Sequence, residues 1–353
     1  RISSPEELGD KVVVQGGTFL NDGVLRAFEK YTGLQVIRPQ LAGLMGAYGS
    51  ALLARERTND QTPVWQPSDE LFNTSDIIKR EFRCRGCSNS CALTLHRFAS
   101  GNKFVSGNRC EFGLKSLGSG KKKHTGFVDW KIKRLFSGEV LSSDAAPMGD
   151  IGIMRVLNTW EHYPYWHALF TELGFRVVLS DPTTAAIMAK GSDTVPSQSL
   201  CLPAKIAHGH ALSLVEKGVR NIWFPCIPKE EKLIAEAEDS YACPVVGGYP
   251  EALRLALESA APETRILTPF LSIEKFSTVA HALCEAFPQL KHKDVMRACE
   301  KASAALETYR RDIKEKALEI WNKPGFVVVL AGHPYHLDSY IHHGIPTLIE
   351  SMG

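Results

Sequence analysis

From residue 151 onward, short apolar runs alternate with amphipathic stretches, and this alternation dominates the chain. The runs Ile151–Val156, Arg176–Leu179, Asn221–Phe224 and Phe326–Leu330 predict strands. Spacing of apolar residues predicts helices near 163–173, 183–190, 204–217 and 228–238, and a long one over 293–321. Strands alternating with helices of about 10–15 residues imply an α/β fold with a doubly wound parallel sheet.

Residues 11–55 carry a second, shorter pattern of strand, helix, strand, helix. Val12–Val14 predicts a buried strand, and Gly16-Gly17-Thr18 turns the chain. Asn21 suits an N-cap for a helix with Val24, Leu25 and Phe28 on one side, and Gly33 suits its C-cap. Gln35–Arg38 is expected to be extended, and Gly43–Glu56 to form a helix whose small residues pack closely on a sheet. Residues 57–75 are polar and proline-bearing, as a linker is. Residues 118–150 are Gly/Lys/Ser-rich with weak periodicity, and their basic run Lys121-Lys122-Lys123 reads as a solvated loop. The expected divisions are therefore 1–57, 58–150 and 151–353, the last truncated at its C-terminus.

Between the two patterns, Cys84, Cys87, Cys91 and Cys110 give C-x2-C-x3-C-x18-C. The flanking runs ALTLHRF and KFVSGNR, with turn residues between them, predict a hairpin that returns Cys110 to the first three thiols. Four thiolates closing on one centre can stabilise a module too small for its own core. Zinc is the favoured metal, and the same ligands also hold iron–sulfur clusters. His96, inside the hairpin, reads as a surface strand residue.

Cys201, Cys226 and Cys243 each sit where an extended segment runs out, in SLCLPAKIAHGH, NIWFPCIPKE and YACPVVGGYPE. Pro203, Pro225 and Pro244 beside them fix turning or extended backbone. Ligands of open parallel sheets bind beyond the carboxyl ends of the strands. Three thiols delivered to that edge suit a soft metal or an iron–sulfur cluster. The competing reading is three small buried core residues, the role assigned to Cys284 and Cys299 within helical patterns.

His333, His336, His342 and His343 cluster with Asp338 in GHPYHLDSYIHHGIP. Such a loop either supplies acid–base groups and metal ligands or is ordered by His–Asp hydrogen bonds. His333 and His336, nearest the expected strand end, are the functional candidates. The Gly16-Gly17-Thr18 turn puts backbone N–H groups where a phosphate or nucleoside fits, and serves equally as a plain tight turn.

Composition narrows the picture. A 353-residue chain with 44% hydrophobic and 23% charged residues is ordinary for a folded globular protein of two or three domains. A net charge of +2 gives no case for nucleic acid, and no apolar run reaches the length of a membrane span. Nine cysteines in clustered spacings suit a reducing cytoplasm. Arg1 in place of methionine and an ending just after a strand–loop–helix start suggest a fragment of something longer.

Several of these segments together resemble a known family. VVVQGGTFLNDGVLRAFEKYTG and GLMGAYGSALLARE resemble the C-terminal end of the actin/hexokinase-like ATPase domain in activators of (R)-2-hydroxyacyl-CoA dehydratases and benzoyl-CoA reductases. CLPAKIAHGH, FPCIP, CPVVGGYPE and GHPYHLDSYIHHGIP resemble the domain fused behind that ATPase in large CoA-substrate-specific enzyme activases. That domain is in turn similar to the dehydratase subunits, in which three strand-end cysteines hold an iron–sulfur cluster. The resemblance implies that Gly16, Gly17 and Thr18 contact nucleotide, and that Cys201, Cys226 and Cys243 are candidate ligands of a [4Fe–4S] cluster.

It further implies an acyl-CoA dehydratase-type partner protein and ATP-driven electron transfer in the full-length parent. The phosphate-binding half of the ATPase and the activator's bridging-cluster cysteine are missing, so this chain alone is not expected to hydrolyse ATP. Two other readings stay open: a non-catalytic, zinc-stabilised scaffold, or a CoA-binding domain that docks a dehydratase. Oligomeric state stays open as well.

Overall fold

The structure is a computed structural model describing residues 8–57, 77–85, 90–98, 101, 103–107, 126–197, 200–237, 239–323 and 327–351. The chain divides into two compact units, Arg1–Thr74 and Ser75–Gly353.

In the first unit, β1 (Val12–Val13) pairs in parallel with β2 (Val36–Ile37). A single 3-10 turn over Gly17–Leu20 and helix α1 (Asp22–Thr32) connect them. The expected caps are both present. The Asn21 side chain accepts a 2.8 Å hydrogen bond from the N–H of Gly23, and Gly33 closes the helix at φ 70°. Val12, Val14 and Val36 form the small core, with Phe19, Leu25 and Phe28 packed against it. Helix α2 (Met45–Arg57) buries none of its residues. Its Leu44-Tyr48-Leu52 row, begun in the preceding turn, is exposed.

The second unit opens on an antiparallel sheet of β3 (Ile78–Arg83), β4 (Ala92–Arg97) and β5 (Lys103–Ser106), in that order. The β4–β5 hairpin is the expected one, with Arg97 opposite Lys103. Strand β3 was not expected. Its sequence, IKREFR, is mostly charged and exposed, as an edge strand protected against aggregation is.

Helix α3 (Phe127–Leu135) leads to the main sheet of β6 (Asp150–Ile153), β7 (Arg176–Leu179), β8 (Asn221–Trp223) and β9 (Arg265–Leu267). All neighbours are parallel, in the order β7-β6-β8-β9. Helix α4 (Thr159–Glu172) joins β6 to β7. Helices α5 (Ala185–Gly191) and α6 (Leu202–Glu216) join β7 to β8, and α7 (Pro244–Leu257) joins β8 to β9. Helices α8 (Phe276–Ala286), α9 (His292–Trp321) and α10 (Ile345–Ser351) follow.

Neighbouring residues of β8 point to opposite faces. Trp223 packs against Trp166 and Phe170 of α4, each ring pair 5.5 Å apart. Ile222 faces the other side, where Leu214 of α6 and Val219 close over Gly152. A Cβ on Gly152 would come within 2.9 Å of Val219. Helices therefore flank both faces of the parallel sheet. Helix α4 also packs along α9, and α5 against α6. The α5–α6 contact is backbone on backbone: a Cβ on Gly209 would meet the Ile187 carbonyl oxygen at 1.8 Å, and one on Gly191 the Gly209 nitrogen at 2.3 Å.

Three expectations change. Residues 228–237 are not helical. The Lys229–Tyr241 bridge, with Glu230 N–H bonded to Ser240 O and Ala242 N–H to Pro228 O, spends their backbone groups across a loop. Residues 327–330 join no strand ladder, and their apolar side chains are exposed. The fourth sheet strand is instead β9, in the short run RIL.

Candidate functional site

Strand order fixes where a site can form. The chain steps outward from β6 to β7, then crosses back over β6 to β8, so the connections leaving the carboxyl ends of β6 and β8 run in opposite directions. That reversal opens the crevice in which doubly wound proteins bind ligands. Helices α6 and α7 both start at this edge, because each runs back to the amino end of the strand that follows it.

Cys201 is the N-cap of α6 and Cys243 the N-cap of α7, each with proline in the first helical turn. Their prolines thus start helices, a position where the missing N–H costs nothing. Cys201 is exposed and Cys243 half-buried. Both thiols lie in the electrostatic neighbourhood of Tyr335, whose hydroxyl is pushed up by burial first and by these two thiols next. Tyr249 of α7 is pushed up to about 12 by burial, with Cys201 adding to it.

Cys226, three residues beyond β8, is at the same edge but fully buried. Its N–H bonds to Pro269 O and its carbonyl accepts from Leu271 N–H, which stitches this loop to the one after β9. Burial pushes its thiol up, partly countered by a backbone hydrogen bond from Glu251.

The thiols come from two connections, Cys201 just before α6 and both Cys226 and Cys243 between β8 and α7, and thiols suit a soft metal in kind. As folded, though, the described residues contain no group of three His, Cys, Asp or Glu side chains placed to hold a metal ion. The three thiols do not close a ligand set in this arrangement.

The histidine-rich loop packs over the same edge. His333 caps a 3-10 turn over Pro334–Leu337, and its ring stacks on Tyr335 at 5.1 Å and lies 5.5 Å from His336. Tyr335 is buried in the main core. Burial, then the nearby His333, lowers the pKa of His336. Beside this loop, α3, α4, α9 and residues 327–349 enclose a largely apolar cleft of about 920 Å³, which His333 and His336 also line.

What fastens the loop is a polar chain that periodicity did not reveal. The Arg155 N–H donates to Ser180 Oγ at 2.9 Å, and Ser180 Oγ meets His210 Nδ1 at 2.7 Å. His210 Nε2 meets Thr183 Oγ1 at 2.9 Å, and Thr183 donates onward to Asp338 Oδ2. Asp338 Oδ1 accepts from Tyr340 N–H at 2.8 Å. Because Thr183 spends its proton on Asp338, it must accept from His210. His210 therefore carries its proton on Nε2 and accepts from Ser180 at Nδ1.

Burial, with Arg155 next, holds the His210 pKa down to about 3, so the ring is neutral. His208, two residues earlier, is held down to about 4 by burial. Thr194 donates to Gly191 O, so it accepts from His208 Nδ1, and the Tyr249 hydroxyl donates to His208 Nε2 at 2.6 Å. The signal available in the sequence was two histidines inside an otherwise apolar helix, which need partners wherever they are buried.

The remaining candidates lie elsewhere. Cys84 is buried and Cys91 half-buried at the end of the β3–β4 pair where the chain connects the two strands, with Cys84 N–H bonded to Cys91 O at 2.9 Å. Cys87 and Cys110 lie outside the described residues. His96 is half-buried on β4, 2.9 Å from Ser106 Oγ. In the first unit, Gly16 adopts φ 96°, which favours glycine, and its N–H is already given to Ala42 O at 2.6 Å. Gly17 and Thr18 begin the 3-10 turn, with Thr18 exposed. Among the described residues no helix is long and apolar enough to cross a membrane.

An α/β domain with a switch-point crevice defines only a broad class of ligand-binding protein. The family comparison is more specific. The family described as CoA enzyme activase uncharacterised domain (DUF2229) matches residues 150–353. That is more than half of the chain, and the chain belongs to this family. No curated protein and no solved structure matches it.

Proposed function

We propose that this chain is the activator module of a CoA-enzyme activase and acts on an acyl-CoA dehydratase-type partner protein through the carboxyl edge of its parallel sheet. The observation that carries the proposal is the meeting of Cys201, Cys243 and the His333–Tyr335 loop at one edge of a domain in the CoA enzyme activase family. In this reading Cys201, Cys226 and Cys243, which do not close a ligand set as folded, would be drawn together on binding an iron–sulfur cluster, which would supply one-electron chemistry at low potential. The chain's own residues hold the edge in shape. The Arg155–Asp338 hydrogen-bond chain ties the loop down, and buried Tyr335 lies beside the two rim thiols.

Zinc at Cys84, Cys87, Cys91 and Cys110 belongs to the same proposal as a structural metal, and nucleotide contact at Gly16–Thr18 as a property of the full-length parent. The burial of Cys226 beside Glu251 favours a second reading, a zinc-stabilised scaffold that docks the partner without redox chemistry.

One experiment separates them. The chain is purified anaerobically, and iron, acid-labile sulfide and zinc are quantified for wild type, Cys201→Ser, Cys226→Ser, Cys243→Ser and Cys84→Ser. Electron transfer requires iron and sulfide that each of the first three variants loses, with zinc lost only in Cys84→Ser. Zinc alone in every sample would leave the scaffold.

A further inference from the structure

The geometry points to an oxyanion subsite at the carboxyl end of β6, with Arg155 as its two-pronged anchor. The proposal goes beyond the activator reading and stands without the cysteine chemistry. Arg155 sits two residues after β6, beside the strand reversal where the crevice opens. It is half-buried and fixed at three points. Its backbone N–H bonds to Ser180 Oγ, and its Nε donates to Ser180 O at 2.9 Å. Its guanidinium carbon lies 4.4 Å from the centre of the Phe136 ring. Phe136 is held in turn by Trp160 and Tyr163, at 5.0 and 5.1 Å.

These contacts use the Nε–H and one face of the guanidinium. The two terminal amino groups make no hydrogen bond or ion pair with the described residues. The nearby carboxylates Asp181 and Asp338 act on Arg155 through charge alone: Asp181 pairs with Lys217 at 2.8 Å, and Asp338 accepts from Thr183 and Tyr340. A guanidinium with its fork held rigid and unspent matches the two oxygens of a carboxylate or phosphate.

A second observation comes from the same turn. Asn158 is 6% exposed, and its side-chain Nδ2 has no partner. A buried amide N–H without an acceptor is costly unless something else accepts from it. Leu157 beside it adopts φ 45°, a strained conformation for a non-glycine residue and one found most often at functional turns. The first N–H groups of α4 are already bonded to Val156, Leu157 and Asn158 carbonyls. An anion here is therefore gripped by the Arg155 and Asn158 side chains, while the helix end adds only its dipole. The ligand group is a carboxylate or a phosphate, which share this recognition chemistry.

The test uses the full chain at constant ionic strength, with calorimetric titration of inorganic phosphate in one arm and acetate in the other. Saturable binding in either arm is expected, and the responding arm names the source of the oxyanion. Arg155→Gln should weaken it about tenfold or more, and Arg155→Lys, which keeps the charge but loses the fork, nearly as much. Should a variant fold poorly, wild-type protein answers alone. Phenylglyoxal should modify Arg155, and the bound anion should protect it, as read by peptide mass spectrometry. Absence of saturable binding, equal affinity in Arg155→Gln, or modification indifferent to the anion would each overturn the subsite.

Discussion

Between Val12 and Arg57, two strands of two residues and two helices gather around three buried valines and Ala42. From Asp150 to Tyr309, a four-stranded sheet buries whole tryptophans and phenylalanines between helices on both faces. Local sequence rules are obeyed equally well in both regions: caps, turns and amphipathic spacing all appear. They differ in long-range burial, the dominant favourable term in folding. Local signals thus specify elements in both units, while packing sets how firmly each is held.

The largest expected effect probes that packing. Trp223→Ala removes the ring on which Trp166 and Phe170 rest and should cost the second unit about 4 kcal/mol. Denaturant unfolding followed by tryptophan fluorescence measures it. The comparison breaks if hydrogen exchange in α1 is accelerated to the same degree, because the units would then unfold as one.

Glycine substitutions should have opposite signs in the two regions. Gly209→Ala forces a methyl into the Ile187 carbonyl and should destabilise by about 3 kcal/mol. Gly49→Ala, in α2 with nothing within 4 Å of the added carbon, should stabilise its helix by about 0.8 kcal/mol. Thermal melts of the two variants decide this. A loss in both would mean that α2 is covered where it is taken here to be open.

Acid should act on one unit only. His208 and His210 are held near 4 and 3 by burial, against 6.5 in an unfolded chain. Below 6.5 the unfolded state binds more protons, so their contribution is fully present above about pH 7 and is lost as pH falls. By pH 5 the loss is about 2 kcal/mol for each ring. His162 works the other way: burial disfavours its charge, but Glu230 Oε2 at 3.0 Å prevails and raises its pKa. Denaturation midpoints from pH 7 to pH 5, compared in a His162→Gln background with and without His208→Gln and His210→Gln, separate the pair from His167, His336 and His342, which are also held low. Residues 1–74 contain no histidine, so hydrogen exchange there, corrected for intrinsic rates, should not follow this profile.

The smallest effect is a cap. Asn21→Ala deprives Gly23 N–H of its acceptor and should cost about 1 kcal/mol, read from the helical circular dichroism of the first unit. In a region with so small a core, even this should visibly fray α1.

What could be read in advance follows the same division. Asn21, Gly33, the β4–β5 turn and strands β6, β7 and β8 announce themselves through local chemistry. Helix α7 does not: PVVGGYPEALRLAL holds two glycines and two prolines, which lower helical propensity, and burial of Val246, Tyr249 and Leu253 overrides them. Strand β9 is three residues long and gains its identity only by pairing with β8. VVVL at 327–330 has a strand's composition without a partner strand.

At the site, the cysteines were visible because thiols beside prolines are conspicuous. The Ser180–His210–Thr183–Asp338 chain was not, because its members are scattered over about 160 residues and only the fold brings them together.

The two N-cap cysteines carry a further consequence. Helices α6 and α7 are packed neighbours, so the separation of their starts is set by the spacing of adjacent helices, about 8–10 Å between axes. Cys201 and Cys243 therefore work like the jaws of a fixed gauge, with the opening cut by the core and not by the loops that carry them. Where α7 lies is decided by contacts such as Gly247 on Pro228, where an added carbon would sit 3.0 Å from backbone. Widening the jaws thus takes a substitution at Gly247, one helical turn into α7, where the N–H bonds to the Cys243 carbonyl and the missing side chain lets the helix lie on Pro228.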